Sequence, residues 1–207
     1  MPYNYPEKSL DVQLRLMGLG LQPAHLMLIG SFIVVYGMFE TTLERALWTL
    51  SERSVDGIRP FTETMNTDAQ FTMLGAGNPR LSAKCNAILK VAAHAAKDLN
   101  EYRNSLVHGY IVSFGPDNAP SFIKNPHWHG ATGRKKPVGD AYIDEPFQDL
   151  VLIGVWSLWR LVHRAEKVFE DPEAQIDIEA MKDDIDRARS YAGEAYHMRA
   201  LVNDEQY

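Results

Sequence analysis

The stretch "LSAKCNAILKVAAHAAKDLNEYRNSLVH", residues 81–108, carries the clearest statement of the fold. Apolar residues recur along it at spacings of four and three, the spacing of one face of an α-helix. They are Leu81, Cys85, Ile88, Ala92, Ala95, Leu99, Tyr102 and Leu106. The pattern predicts a long amphipathic helix that ends near His108 and Gly109, with Asn78 and Pro79 as its cap and first-turn pair.

Three other segments have helical periodicity. Residues 23–53 predict a first helix, 144–169 a third with Pro146 in its first turn, and the segment after Asp171 and Pro172 a fourth. No strand of comparable length competes with them. The sequence therefore predicts an all-α protein built as a four-helix up-and-down bundle, in which residues 81–108 form the second helix.

The remaining segments are less regular. Residues 1–22 carry apolar residues at period two, which fits a strand or an extended arm, with a short helix as the alternative. Residues 54–80 predict a connection with a helical turn or two. Residues 110–143 contain short β-prone pieces separated by Gly, Pro, Asn and Asp, which predict a hairpin or ordered loop inserted between helices two and three. We expect a single domain over residues 1–207.

Composition limits the setting in which the protein works. The single cysteine, Cys85, excludes an internal disulfide framework, and no secretory leader pattern is present, so we expect a cytoplasmic protein. The apolar run at residues 26–39 is interrupted by Gly30, Ser31 and Gly37 and is shorter than the roughly 18 residues of a membrane span. It predicts a buried core helix or an oligomer interface, and no membrane partner.

Arg103, Asn104 and His108 form a polar group late in the second helix. Asn104 and His108 are an i, i+4 pair, whereas Arg103 lies at the edge of the core face, about 140° from His108 on an ideal helix. Histidine can take or give a proton near neutral pH, and the arginine fork matches phosphate oxygens. RNA supplies its own nucleophile, the 2′-hydroxyl, so such a group could cleave it without a metal. The alternative is that Arg103 and His108 only satisfy the end of the helix.

The segment "RNSLVH", residues 103–108, resembles the arginine–polar–spacer–histidine signature of the HEPN superfamily. The predicted bundle is similar too. Many members of that superfamily are metal-independent endoribonucleases of toxin–antitoxin and other defence systems, and they usually dimerise. The resemblance implies that Arg103 stabilises phosphate charge, His108 transfers a proton and Asn104 orients the histidine or the phosphate. It also implies RNA as substrate, a homodimer, and an antitoxin or other regulatory protein as partner.

Other polar groups are candidates for supporting roles. Glu40 and Glu44, an i, i+4 pair on the first helix, could assist acid–base chemistry or offset the charge of Arg103. The loop at residues 124–136 could stack a base and hold phosphate, although a solvated loop is the alternative. Its candidate RNA-binding residues are His127, Trp128, His129, Arg134, Lys135 and Lys136. No second ligand pair accompanies the two histidines, so no metal site is predicted.

The sequence thus predicts a metal-independent endoribonuclease without a cofactor. With a net charge of −6, the whole surface would not attract nucleic acid, so an anionic substrate has to be held locally. The first alternative is a non-catalytic HEPN-like module that binds a nucleotide, an RNA or a protein. The second is a structural helical dimer that binds no nucleotide. The aromatic stripe Trp156, Trp159 and His163 on the third helix is interpreted as packing, in the core or at a dimer surface.

Overall fold

The structure, a computed structural model, describes residues 4–54, 56, 60–113, 120–124 and 140–204. These residues are mainly helical, as predicted. The helices are α1 (Tyr5–Gly18), α2 (Pro23–Leu50), α3 (Thr67–Ala76), α4 (Ala83–His108), α5 (Glu145–Ala165), α6 (Ala174–Ala180) and α7 (Lys182–Asp204), with a 3-10 turn at Phe61–Thr64. The strands are β1 (Tyr110–Ser113), β2 (Pro120–Lys124) and β3 (Asp140–Tyr142).

The four longest helices, α2, α4, α5 and α7, enclose the core. Helix α2 packs along α5, α5 along α7, and α7 along α4, while α3 contacts both α4 and α2. The predicted apolar face of α4 is confirmed, because Leu99 and Tyr102 are buried and Cys85 is completely enclosed. Burial raises the pKa of the Cys85 thiol to about 11, with Glu179 adding to the shift. Helix α4 is therefore fixed on one side by the core, which leaves its other side for polar groups.

The start of α4 differs from the prediction that Asn78 caps the helix. Ser82 is the cap, and its hydroxyl oxygen accepts a hydrogen bond from the amide of Cys85 at 3.0 Å. Asn78 is buried instead, and its amide nitrogen donates to the carbonyl of Leu50 at the end of α2, at 2.7 Å. It thereby satisfies one of the carbonyls that a helix end leaves without a partner. This bond ties the end of α2 to the approach to α4.

The irregular N-terminal part is more helical than predicted. Residues 5–18 form a helix, so the strand alternative for residues 1–22 is wrong and the helical alternative is right. Leu16 packs against the core, while α1 as a whole has no buried residue. Period-two apolar spacing was misleading here because only one of those side chains meets the core. Helix α3 is longer than the predicted turn or two, since Asn66 caps it and Phe71 and Leu74 are buried.

The predicted fourth helix is divided into α6 and α7. The amide of Met181 is shared between the carbonyls of Asp177 and Ile178, at 3.2 and 3.1 Å, which tightens the last turn of α6 and ends it. The predicted apolar face is retained across the division, because Ile178 and Ile185 are both buried. The apolar pattern therefore correctly predicted that Ile178 and Ile185 are buried, but it did not predict the end of α6 between them.

A small antiparallel sheet, ordered β1–β2–β3, follows α4 directly. Ile111 pairs with Ile123, which pairs in turn with Ala141. The β-prone character predicted for residues 110–143 is confirmed for these strands, while 114–119 and 125–139 lie outside the described residues. The hydroxyl of buried Tyr102 donates to the carbonyl of Tyr142 at 2.6 Å, so β3 is joined to the last turns of α4.

Helix α2 combines a buried and an exposed apolar face. Phe32, Phe39 and Leu43 are buried in the core, as predicted for a core helix. Met27 and Val34 lie on the opposite side with 65% and 63% of their surface exposed. By length and composition alone the helix could cross a membrane, a property that core helices of soluble proteins share. Among the described residues, nothing covers the apolar side chains of Met27 and Val34 on this side of α2.

Candidate functional site

The last turns of α4 position the three residues of the motif. The helix continues to His108, and the amide of Gly109 donates to the carbonyl of Ser105 at 2.9 Å to close it. Asn104 and His108 therefore lie on the same face, one turn apart, as the spacing predicts. A break of the helix near Val107, which would have turned His108 towards Arg103, does not occur.

Arg103 lies at the edge of the core face and points towards α2. Its Nη2 is 3.5 Å from Oε2 of Glu40, and its Nη1 donates to Oδ1 of Asn104 at 3.2 Å. Its Cζ stands 5.8 Å from the centre of the Tyr36 ring, within the range of a cation–π contact. The side chain of Arg103 is 29% exposed and that of Glu40 is 36% exposed. The guanidinium is thus held on several sides and remains open to solvent.

Buried Tyr36 and partly buried Asn100 support this arginine. The hydroxyl of Tyr36 donates to Oδ1 of Asn100, one turn before Arg103 on α4, at 3.2 Å. Burial is the main cause that raises the pKa of Tyr36 well above its ordinary value, Glu40 adds to the shift and Arg103 opposes it. The phenol therefore stays neutral, and its ring also packs against Phe32 and Phe39. Arg103 rests on a side chain that the core fixes in place.

Glu40 is only partly compensated by Arg103. Burial raises the pKa of its carboxyl group, and the guanidinium of Arg103 lowers it by a smaller amount. Glu40 also borders a surface hollow of about 180 Å³ whose other walls include Glu44, Thr67 and Gln70. Within the described residues Glu44 makes no hydrogen bond or ion pair with Arg103, so the two glutamates that the sequence grouped together differ in their pairing.

His108 is separate from the arginine. Its side chain is exposed at the end of α4 and makes no hydrogen bond or ion pair among the described residues. On an ideal helix five residues advance the chain by about 7.5 Å and turn it by about 140°. The structure therefore brings together Arg103, Asn104 and Glu40, and leaves His108 on the outer face beside Asn104.

The other candidate residues have different outcomes. The predicted RNA-binding loop, with His127, Trp128, His129, Arg134, Lys135 and Lys136, lies outside the described residues. On α5 the rings of Trp156 and Trp159 are 4.6 Å apart, and the ring of His163 stacks on Trp159 at 5.5 Å. Trp159 packs against the core while Trp156 is exposed, so this stripe is partly core and partly surface.

Sequence reasoning missed Tyr36 and Asn100. Tyr36 precedes Glu40 by one turn on α2, and Asn100 precedes Asn104 by one turn on α4, so both spacings place them beside the residues that were found. The sequence does not show that Tyr36 of α2 lies next to Asn100 of α4. Among the described residues, no group of three or more His, Cys, Asp or Glu side chains could hold a metal ion.

Comparison with protein-family models, with curated proteins and with solved structures finds no match for this chain. The site is therefore interpreted from its own residues and from the resemblance of the motif at residues 103–108.

Proposed function

We propose that this protein is a metal-independent endoribonuclease of the HEPN type. The observation that carries the proposal is the partly exposed guanidinium of Arg103, hydrogen-bonded to Asn104 one turn before the exposed His108. An imidazole can supply the proton transfer and a cationic fork the charge stabilisation that cleavage by the 2′-hydroxyl needs, and an amide can orient them. The chain would act on RNA without a cofactor.

The chemistry assigns one task to each group. The imidazole of His108 takes the proton of the 2′-hydroxyl, whose oxygen forms a bond to the adjacent phosphorus. The bond from phosphorus to the 5′-oxygen breaks, and that oxygen takes a proton from water or from the His108 of a second copy. Arg103 stabilises the charge on the phosphoryl oxygens, and Asn104 orients the phosphate or the histidine. The products are a 2′,3′-cyclic phosphate and a 5′-hydroxyl.

A homodimer belongs to the proposal. Within one chain Arg103 turns towards Glu40 while His108 faces solvent, so a second copy that approaches α4 could complete the site. An antitoxin or other regulatory protein would then act by covering α4 or by separating the two copies. The resemblance implies both partners, and the orientation of Arg103 away from His108 supports the homodimer.

RNA cleavage in the presence of EDTA tests the proposal. We expect the wild type to cleave single-stranded RNA, and Arg103→Ala and His108→Ala to lose at least about a hundredfold of the rate, as removal of a charge-stabilising or proton-transfer group does. Arg160→Ala and His197→Ala, on α5 and α7, are matched controls that should retain activity. Undiminished cleavage in both motif variants, or products without 2′,3′-cyclic phosphate ends, would contradict it.

The pairing of Glu40 with Arg103 favours a second candidate function. If the carboxylate stays in place, it offsets the charge of the arginine, which then does not stabilise a transition state, and the surface serves as a non-catalytic module that binds RNA, a nucleotide or a protein. Tight RNA or nucleotide binding without turnover, over several substrates and pH values, would identify this function. The absence of any binding would instead favour a structural dimer.

A further inference from the structure

The ion pair of Arg103 is among the longest of the described arginines that face a carboxylate, similar to the 3.4 Å between Arg45 and Glu166. The distance from Arg103 to Glu40 is 3.5 Å, through one nitrogen and one oxygen. By contrast, Arg80 approaches Glu52 to 2.8 Å and Arg164 approaches Asp177 to 2.7 Å. A long, single contact between partly exposed groups is worth little free energy, so the carboxylate is easily replaced.

The arginine keeps its other contacts when the carboxylate is replaced. The ring of Tyr36 lies beneath the guanidinium, and Nη1 is held by Asn104 rather than by Glu40. Tyr36 is itself fixed by the core and by Asn100. Glu40 can therefore move away while the guanidinium of Arg103 keeps its contacts with Tyr36 and Asn104.

Glu40 also has a place to go. The hollow that it borders is partly open to solvent and is also lined by Thr67 and Gln70, so a rotated carboxylate can be hydrated there, with Glu44 in the same wall opposing its approach by charge repulsion. In its present place the carboxylate is partly desolvated, and its pKa is raised for that reason. Movement into the hollow would restore water to the charge and offset part of the lost attraction to Arg103.

We propose that Glu40 is an internal competitor of the substrate, occupying Arg103 in the free protein until a phosphate of single-stranded RNA replaces it. The proposal rests on the proposed function for the identity of the phosphate. A phosphate bound to the fork satisfies two N–H groups at once, which Glu40 does not. Because any ligand of Arg103 must first displace the carboxylate, Glu40 weakens binding by the small free energy of this pair and disfavours ligands whose charge cannot replace it.

Binding of a short single-stranded RNA with 2′-fluoro riboses, measured by fluorescence anisotropy, tests the exchange without cleavage. We expect Glu40→Gln to lower the Kd by about two- to fivefold, the range of a partly exposed ion pair. The matched control is Glu44→Gln, which removes the same charge from the next turn and the same hollow but makes no described contact with Arg103. It should leave the Kd within twofold, as the pair with Arg103 stays intact.

The double variant separates a specific exchange from a general charge effect. In the Arg103→Ala background, Glu40→Gln should leave the Kd unchanged, because the guanidinium for which the carboxylate and the phosphate compete is then absent. Equal tightening in both backgrounds, or equal tightening by Glu44→Gln, would overturn the proposal. So would a Kd for Glu40→Gln as weak as that of Arg103→Ala, since Glu40 would then be positioning the arginine.

Parallel cleavage of the all-ribose RNA keeps the two proposals apart. Tightening by Glu40→Gln without cleavage by the wild type would uphold the exchange and remove the ribonuclease function. Cleavage by the wild type without any effect of Glu40→Gln on the Kd would do the reverse. Failure of both the wild type and Glu40→Gln to bind the RNA would overturn both.

Discussion

Tyr36 supports Arg103 through its ring and α4 through its hydroxyl, and two substitutions separate these contributions. Tyr36→Phe keeps the ring and loses the bond to Asn100, so the free energy of unfolding should fall by about 1 kcal/mol. Tyr36→Leu also removes the aromatic surface beneath the guanidinium and should cost more. Urea unfolding measures both, with Tyr191→Phe as the control because its hydroxyl has no described hydrogen bond. Equal losses in Tyr36→Phe and Tyr191→Phe would contradict the role of the buried bond.

Glu40 should affect stability in a pH-dependent way. Because its pKa is raised in the folded state, the folded chain keeps this proton to higher pH than the unfolded chain does. Its contribution is therefore most favourable below the ordinary carboxyl pKa of 4.5 and declines as the pH rises through the raised value. Glu40→Gln removes the decline. We expect this variant to gain stability relative to wild type between about pH 4 and about pH 7, by chemical unfolding. A difference that is the same at both pH values would contradict the prediction.

Two glycines show how helix packing decides the effect of one methyl group. At Gly30 of α2 a Cβ would have nothing within 4 Å, whereas at Gly75 of α3 it would lie 3.1 Å from Cβ of Ala93. Gly30→Ala should raise the free energy of unfolding by about 0.5–1 kcal/mol, since alanine favours a helix interior. Gly75→Ala should gain less or lose stability, because α3 and α4 must separate slightly. Thermal unfolding of the two variants checks the difference, and equal gains would contradict it.

At the scale of elements, long apolar stripes were predictable and short-range choices were not. The apolar stripes of α2, α4 and α5 extend over many turns, so each predicts its helix and the buried face of that helix without information from the rest of the protein. Both Asn78 and Ser82 are suitable caps for α4. Asn78 instead donates to the carbonyl of Leu50 at the end of α2, a contact between distant segments, and Ser82 caps the helix. The division of α6 from α7 depends on one shared amide, which leaves no periodic signal.

At the scale of the whole molecule, the separation of Arg103 from His108 leads to a test by mixing. If each site combines the arginine of one copy with the histidine of another, a dimer of Arg103→Ala with His108→Ala retains one intact site. Random exchange of subunits should then restore about a quarter of wild-type cleavage, since half of the dimers are mixed and each has one of its two sites. The measurement is the RNase rate after co-refolding of two variants that are inactive alone. No recovery despite mixed dimers would place a complete site within each chain.

The candidate site was predictable in its residues and less so in its arrangement. Helical spacing alone placed Asn104 and His108 on one face and Arg103 at the edge of the core. Helical spacing could not decide whether Glu40 or Glu44 pairs with Arg103, because that depends on the relative position of α2 and α4 along their axes. Nor could it find Tyr36 and Asn100, whose hydrogen bond joins residues 64 positions apart.

The enclosed Cys85 makes the chain convenient for covalent labelling. A thiol that is buried, with a pKa of about 11, presents little thiolate at neutral pH and reacts slowly with maleimides and disulfide reagents. A cysteine introduced on the surface can therefore carry a fluorophore or a spin label while the native residue stays in place. The same property makes Cys85 a probe of unfolding. When the reagent modifies an exposed thiol faster than the core closes again, the rate of Cys85 modification equals the rate at which the core around α4 opens.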